Sequence, residues 1–402
     1  MSEGLQKRGS RWSDVPVLSY GFRIFFLLSA VSAIGLIATW LAVLLGLVWL
    51  GTIPAHLWHA HEMLFGVVAA AMAGFLLTAV PTWTGTPALA GPRLFALAFL
   101  WTIGRIASLP VFATSMFAAG IDIAFLPALG ASLAAPLIAQ GKLRNAVFLV
   151  LLAGLAVANL LFRLEWMGVT ADSAHSGISL AVGIVLLMIT VIGGRIIPAF
   201  TQNALRQQRP DFVIRTRPLL DRATILLTIV MIVLDMLARQ SMTHVAVTAA
   251  ACLAHGLRLA GWKSRLTLSQ PLLWILHLAY AWIPIGLGLK VADYLGFEWA
   301  PGWLHAITIG AFTTMILAVS SRAALGHTGR PLIATKLTIA AFVSISLAAV
   351  LRIAVDALPA AFYLPVLAGS AASWIMAFAL WLWVYAPILW GRRLDGQLAA
   401  SP

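Results

Sequence analysis

Runs of about twenty predominantly apolar residues recur along this chain, and each is long enough, at about 1.5 Å of rise per residue, to cross the ~30 Å hydrocarbon layer of a bilayer as a helix. Charged residues gather between the runs. No alternating apolar and polar pattern competes with them, which excludes a β-barrel. Composition agrees: 61% of the 402 residues are hydrophobic and 10% are charged, and the mean hydropathy of +0.97 lies far outside the range of soluble globules. The fold class is therefore all-α, a polytopic membrane protein.

Breaking the chain at Pro, Gly and charged residues predicts about twelve transmembrane helices, at 22–46, 58–81, 92–112, 118–139, 144–162, 175–198, 221–238, 242–261, 271–291, 303–322, 332–353 and 361–386. Lys7, Arg8, Arg11 and Arg23 precede or open the first span. Basic residues then fall in every second loop: Arg93; Lys142 and Arg144; Arg206, Arg209, Arg215 and Arg217; Arg258, Lys263 and Arg265; Arg330; Arg392 and Arg393. By the positive-inside rule both termini are cytoplasmic, with short tails at 1–21 and 391–402 on a single transmembrane domain spanning 1–402. The first span is long and lacks a small-residue cleavage site, so it reads as a retained helix. The formal charge of +13 speaks to topology and anionic lipid rather than to nucleic acid. The one cysteine, Cys252, excludes disulfides, cysteine-ligated iron–sulfur clusters and CxxCH haem attachment.

Polar side chains inside such spans cost on the order of 2.5–3.5 kcal/mol each near the bilayer centre unless something satisfies them, so they mark candidate sites. The densest group opens the second span: His59, His61, Glu62 and Met63 in WHAHEMLFG. Imidazole suits iron and copper, the Met63 thioether suits Cu(I), and Glu62 is placed to orient a ligating ring or carry a proton. On a regular helix His59 and His61 stand about 200° apart, so one helix serves two sites. Gly66, Ala70 and Ala73 follow on the His59 face at the 3.6-residue period, a slot for a porphyrin or for a neighbouring helix. Phe65, Val68, Met72 and Phe75 on the His61 face read as ordinary core.

Topology gives each remaining histidine a depth. His56, His175, His244 and His305 fall near the outer face, and His255, His277 and His327 toward the cytoplasm. His175 and His244 read as hydrogen-bonded histidines without metal. His305, opening the tenth span, is the expected partner of span two. His277 has Tyr280 beside it, and His327 lies in the glycine-rich GHTGRP. Arg195, Arg322 and Arg352 near span ends suit haem propionates, snorkelling or anionic lipid equally. Trp58, Trp83, Trp299 and Trp303 read as membrane-edge anchors. Histidines entering spans two, six and ten, with Arg195 and Arg322 near two of the exits, suggest a threefold internal repeat of four helices.

At these motifs the sequence resembles the NnrS family, polytopic membrane proteins of the bacterial nitric-oxide response. The resemblance is carried by Trp58 to Gly85, IGGRIIPAFTQNALR (Ile192 to Arg206), HLAYAWIPIGL (His277 to Leu287) and HAITIGAFTTMILAVSSRAALGHTGRPL (His305 to Leu332), with FRIFFLLSA and YAPILWGRR near the two ends. It implies twelve spans in the bacterial inner membrane, non-covalent haem b and/or copper, and a part in nitrosative stress and denitrification. The family's histidine motifs fall here on His59, His61, His277, His305 and His327, with His59, His61 and His305 as metal ligands. Glu62, Met63, Tyr280, Arg195 and Arg322 would support them. The layout also resembles the twelve-helix subunit of haem–copper oxidases, an analogy that carries no function.

Three readings follow. In the first, a membrane haem or copper protein binds nitric oxide, or reacts with it as an oxidoreductase, near the outer face, with a second centre near His277 and His327 and an electron donor the sequence does not name. The second is a transporter of copper, haem or a small solute, with span prolines such as Pro81, Pro198 and Pro284 breaking helices around a path. The third, an assembly scaffold, leaves the HAHEM cluster without a role.

Overall fold

The computed structural model describes residues 15–51, 53–139, 143–207 and 209–394. Lys7, Arg8, Arg11 and Lys142, and the tail segments 1–14 and 395–402, lie outside the described residues. Within them the chain is helical, with no strand. Long helices stand at all twelve predicted places: α1 (Gly21–Leu44), α2 (Ala55–Thr84), α3 (Gly91–Ala107), α4 (Met116–Ala139), α5 (Leu143–Trp166), α6 (Ser173–Arg206), α7 (Pro218–Leu237), α8 (Met242–Gly261), α9 (Pro271–Tyr294), α10 (Trp303–Gly326), α11 (Lys336–Ala354) and α12 (Tyr363–Trp390).

Among the described residues, nine of these are long and apolar enough to cross a membrane. The other three are α3, with 17 residues, and the more polar α7 and α8. Asp221, Arg222 and Asp235 lie on α7, and His244, His255 and Arg258 on α8. The protein is thus a polytopic helical bundle of the expected class.

Even-numbered helices begin at one end of the bundle, called here the His59 end, and finish at the other, the His327 end. The helices α2, α6 and α10, the second of each predicted set of four, contact one another in the middle. They also wall two of the cavities described below.

The long helices α2 and α10 are not uniform. Just after their histidines both widen into π-helix, over Glu62–Val68 in α2 and Ala306–Thr313 in α10. A π turn bonds five residues back instead of four and displaces backbone carbonyls from the regular ladder, which in hydrocarbon need other donors. In α2 the Phe65 carbonyl accepts from Trp101 Nε1 at 3.3 Å and the Val67 carbonyl from Ser29 Oγ at 2.8 Å. In α10 the donors are on the helix itself: Thr313 Oγ1 donates to the Thr308 carbonyl at 3.0 Å and Thr314 Oγ1 to that of Ile309 at 3.3 Å. Neighbours and threonines therefore sustain the two wide turns.

The two ends of the chain meet. Arg23, read from sequence as a flanking cation, is 1% exposed and donates to the Leu389 and Gly391 carbonyls at 2.8 and 2.6 Å, closing the open C-terminus of α12. This contact joins the FRIFFLLSA and YAPILWGRR motifs. Trp58, expected at the membrane edge, is 4% exposed, its indole donating to the Ser108 carbonyl at 3.2 Å. Trp303 donates to Asp293 at 3.1 Å, whereas Trp299 is exposed.

The close approach of α1 and α2 rests on Gly74, where an added Cβ would stand 2.8 Å from the Phe26 ring and 3.2 Å from Phe25 Cβ. Gly74→Val is expected to destabilise the bundle by about 1–3 kcal/mol through overpacking, seen as a lower unfolding midpoint in detergent. An unchanged midpoint would show that α1 shifts without loss.

Candidate functional site

His59 sits where α2 faces α6 and α10. Its ring stacks on Trp40 at 4.5 Å between centroids and 26° between planes. Its Nδ1 is buried and has no hydrogen-bond partner. The ring lines a cavity of about 100 Å³ together with His305, Met63, Thr308 and Thr313. That volume takes an ion and a diatomic molecule, whereas pockets that bury larger ligands run to roughly 300–1,000 Å³. Below it, Val68 and Phe312 also wall a second cavity of about 90 Å³ between the same three helices, lined only by apolar and glycine residues such as Met72, Phe75, Met188 and Met315.

The π turn revises the sequence reading of this helix. Gly66, expected beneath His59, instead faces α1 and α3, where an added Cβ would lie 3.4 Å from Leu36 Cδ1 and 3.5 Å from Arg105 Cδ. Neither it nor Ala70 or Ala73 lines the His59 cavity, whose α2 wall is Ala60, Met63, Leu64, Val67 and Val68. Val68, Met72 and Phe75, read as core, line the apolar cavity below.

Two residues on, His61 enters a different environment. It is fully buried, with Nδ1 2.9 Å from Glu62 Oε1 and Nε2 3.1 Å from Asp122 Oδ2 and 2.9 Å from Asn159 Oδ1. Two carboxylates and a side-chain amide thus engage both nitrogens of one ring. Arg105 bridges Glu62, at 2.7 Å, and Asp122. Arg163 donates to Asp122 Oδ2 at 2.9 Å and to Ser108 Oγ at 2.6 Å. Phe65, Phe162 and Trp166 surround the ring. This network ties α2, α3, α4 and α5 together through charges that have left water.

A second buried ion pair lies at the same end of the bundle. Lys290 Nζ on α9 donates to both Asp235 oxygens on α7 at 2.7 Å, and His244 Nε2 lies 3.4 Å from Asp235 Oδ1. The His244 ring makes no hydrogen bond through either nitrogen and rests edge-on against Tyr294. The rings of His56 and His175, with centroids 6.1 Å apart, face each other at the starts of α2 and α6.

At the other end the histidines are apart from one another. His277 has both nitrogens bonded at 2.9 Å, Nε2 to Thr201 and Nδ1 to Ser264. Tyr280, expected beside it, bonds His255 Nδ1 at 2.8 Å and accepts from Arg258 at 3.2 Å. The His327 ring lies against Tyr20 and Phe22. Burial, aided by the Arg393 charge, holds the His327 imidazole below its ordinary 6.5, so it is neutral at pH 7. Arg322 covers the Phe200 ring at 4.2 Å, Arg352 pairs with Asp356 at 3.0 Å, and Arg195 lines a polar cavity against α7 and α8.

No group of three or more His, Cys, Asp or Glu among the described residues is arranged to hold a metal ion. The pair His59 and His305, with the Met63 thioether, is the donor set that shares a cavity. Sequence reasoning passed over Asp122, Asn159, Arg105 and Arg163. The available signal was an acid in the apolar run GIDIAFLPALG and an arginine late in AVANLLFRLEW.

Residues 16–393 match the family model for NnrS protein. No curated protein matches the chain.

Replacing Asp122 by Ala strands Arg105, Arg163 and His61 without their common acceptor. Its expected effect is destabilisation by about 3–5 kcal/mol, read as a fall in the unfolding midpoint or loss of folded protein from the membrane. A variant as stable as the parent would mean that Glu62 and water replace the carboxylate.

Proposed function

This chain belongs to the NnrS family, membrane proteins of the nitric-oxide response, and from that premise we propose that His59 and His305, with Met63 beside them, hold a redox metal at which nitric oxide binds or reacts. The observation that carries the reading is the buried, unpartnered Nδ1 of His59 on a cavity shared with His305 and Met63. Both histidines lead into π turns, a distortion found often at functional sites.

The donor chemistry suits either metal that the family implies: imidazole binds copper and haem iron, and a thioether adds affinity for Cu(I). The cavity favours a bare ion, since a porphyrin needs more volume than about 100 Å³. Such a centre would supply an open coordination position and a one-electron couple. The chain's own part is positioning. Trp40 fixes the plane of the His59 ring, and the bonded carbonyls of the π turns hold both histidines toward the cavity. His61, with both nitrogens engaged by Glu62, Asp122 and Asn159, anchors the helix rather than ligating.

The apolar cavity beneath suits an uncharged diatomic, which dissolves in hydrocarbon, and offers nothing to a hydrated ion. It therefore weighs against carriage of copper along this axis. In this proposal the His59 end faces outward, because the Arg209, Arg215 and Arg217 loop lies at the opposite end.

Protein purified from cells supplied with copper and haem is expected to carry stoichiometric metal by elemental analysis, with an absorption change on adding nitric oxide. His59→Ala and His305→Ala should each lower metal content at least about tenfold, while His277→Leu keeps most of it. Full metal in both alanine variants would overturn the assignment.

A further inference from the structure

A polar cavity of about 320 Å³ lies at the His327 end and belongs to none of the histidine sites. Arg195 on α6, Arg215 and Arg217 of the loop before α7, and Arg258 on α8 line it, against one acid, Asp221. The cavity is built from fixed parts. Arg258 is 5% exposed and held by Asp221 at 2.6 Å and by the Thr190 carbonyl at 2.7 Å, with Trp262 under its guanidinium. It passes so close over Gly194 that no side chain fits there. The loop is pinned by Gln202, whose Oε1 accepts from the Ile214 amide at 2.9 Å. Both loop arginines therefore stand on the rim of a formed cavity.

Arg215 and Arg217, both exposed, bring guanidiniums to the cavity that holds Arg258, and their planar donor forks match phosphate oxygens. The rim points to the source. Val213 and Leu219, on either side of the two loop arginines, are 60% and 79% exposed, an apolar border that suits acyl chains better than water. We propose that this cavity binds a phosphate-bearing anion, seated as the headgroup of an anionic phospholipid between α6, α7 and α8. Arg258 donates in turn to Tyr280, whose hydroxyl bonds His255. The bound charge thus rests on a buried hydrogen-bonded chain between α8 and α9, and occupancy tightens that part of the bundle.

The test uses the full chain, purified and delipidated in detergent, titrated with phosphatidylglycerol, phosphatidylcholine or inorganic phosphate, with unfolding midpoint and native mass spectrometry as readouts. Phosphatidylglycerol is expected to raise the midpoint and remain bound, and phosphatidylcholine to do neither. Arg215→Ala with Arg217→Ala, both exposed and outside the buried network, should weaken phosphatidylglycerol binding about tenfold or more. Arg209→Ala with Arg222→Ala removes the same charge at exposed positions off the cavity and should leave it unchanged. Saturable binding of inorganic phosphate lost in the first pair alone would support the site with free phosphate as its ligand. The proposal fails if both pairs weaken binding equally, if the first pair binds as tightly as the parent, or if the two lipids act alike.

Discussion

Asp122 is the point on which one end of the molecule turns. Its carboxylate lies deep in the bundle on α4 and accepts from His61 of α2, Arg105 of α3 and Arg163 of α5. In hydrocarbon an ion pair is retained only when nearly every donor and acceptor is met, since a stranded charge costs more than the pair contributes. Here both Asp122 oxygens, Glu62 Oε1 and both His61 nitrogens are engaged, and Arg105 Nε is a buried donor left over. Four helices are thereby fixed in rotation and depth, and the first turns of α2, which carry His59, are fixed with them.

Two residues from His61, His59 takes no part in that network, and its Nδ1 is buried and unpaired. Both positions experience the same medium and belong to the same helix, so the difference lies in what α2 presents to each side. The π turn beginning at Glu62 lets this happen. By widening the helix it turns Gly66 toward Leu36 and Arg105 and places Met63, Val67 and Val68 on the cavity. A matching turn in α10 does the same beside His305. In each turn Trp101, Ser29 or the helix's own threonines donate to carbonyls in or beside it.

The helical class, the places of the long helices and the histidines were legible in the sequence because each depends on composition or on one residue type. Span length follows from bilayer thickness, and an imidazole amid alanines and leucines is conspicuous. The π turns were not legible: EMLFGVV and AITIGAFT have the composition of any buried helix, and the donors that stabilise them come partly from α1 and α3. The face assigned to Gly66, Ala70 and Ala73 failed for that reason, since a 3.6-residue period does not continue through a wider turn. Arg23 was misread because it is basic and near the start of a span, whereas its role depends on Leu389 and Gly391, more than 360 residues away in the chain. Asp122, Arg105 and Arg163 were present as rare ionisable residues in apolar runs, but only the fold brings three helices' worth of them to one histidine.

The two ends of the bundle are separated by a middle that carries no charge along α2, α6 and α10. Met72, Phe75, Met188 and Met315 wall the cavity there, and neither a proton nor a hydrated ion has a partner along that wall. An uncharged diatomic faces no such barrier. If His59 and His305 hold a metal, its gaseous ligand has access from the lipid interior, while any proton the chemistry uses must arrive from the His59 end. Glu62 is the nearest carboxylate in sequence, but its Oε1 is already shared by His61 and Arg105. The network that positions the histidine thus also occupies that carboxylate oxygen, so Glu62 is held toward His61 and Arg105.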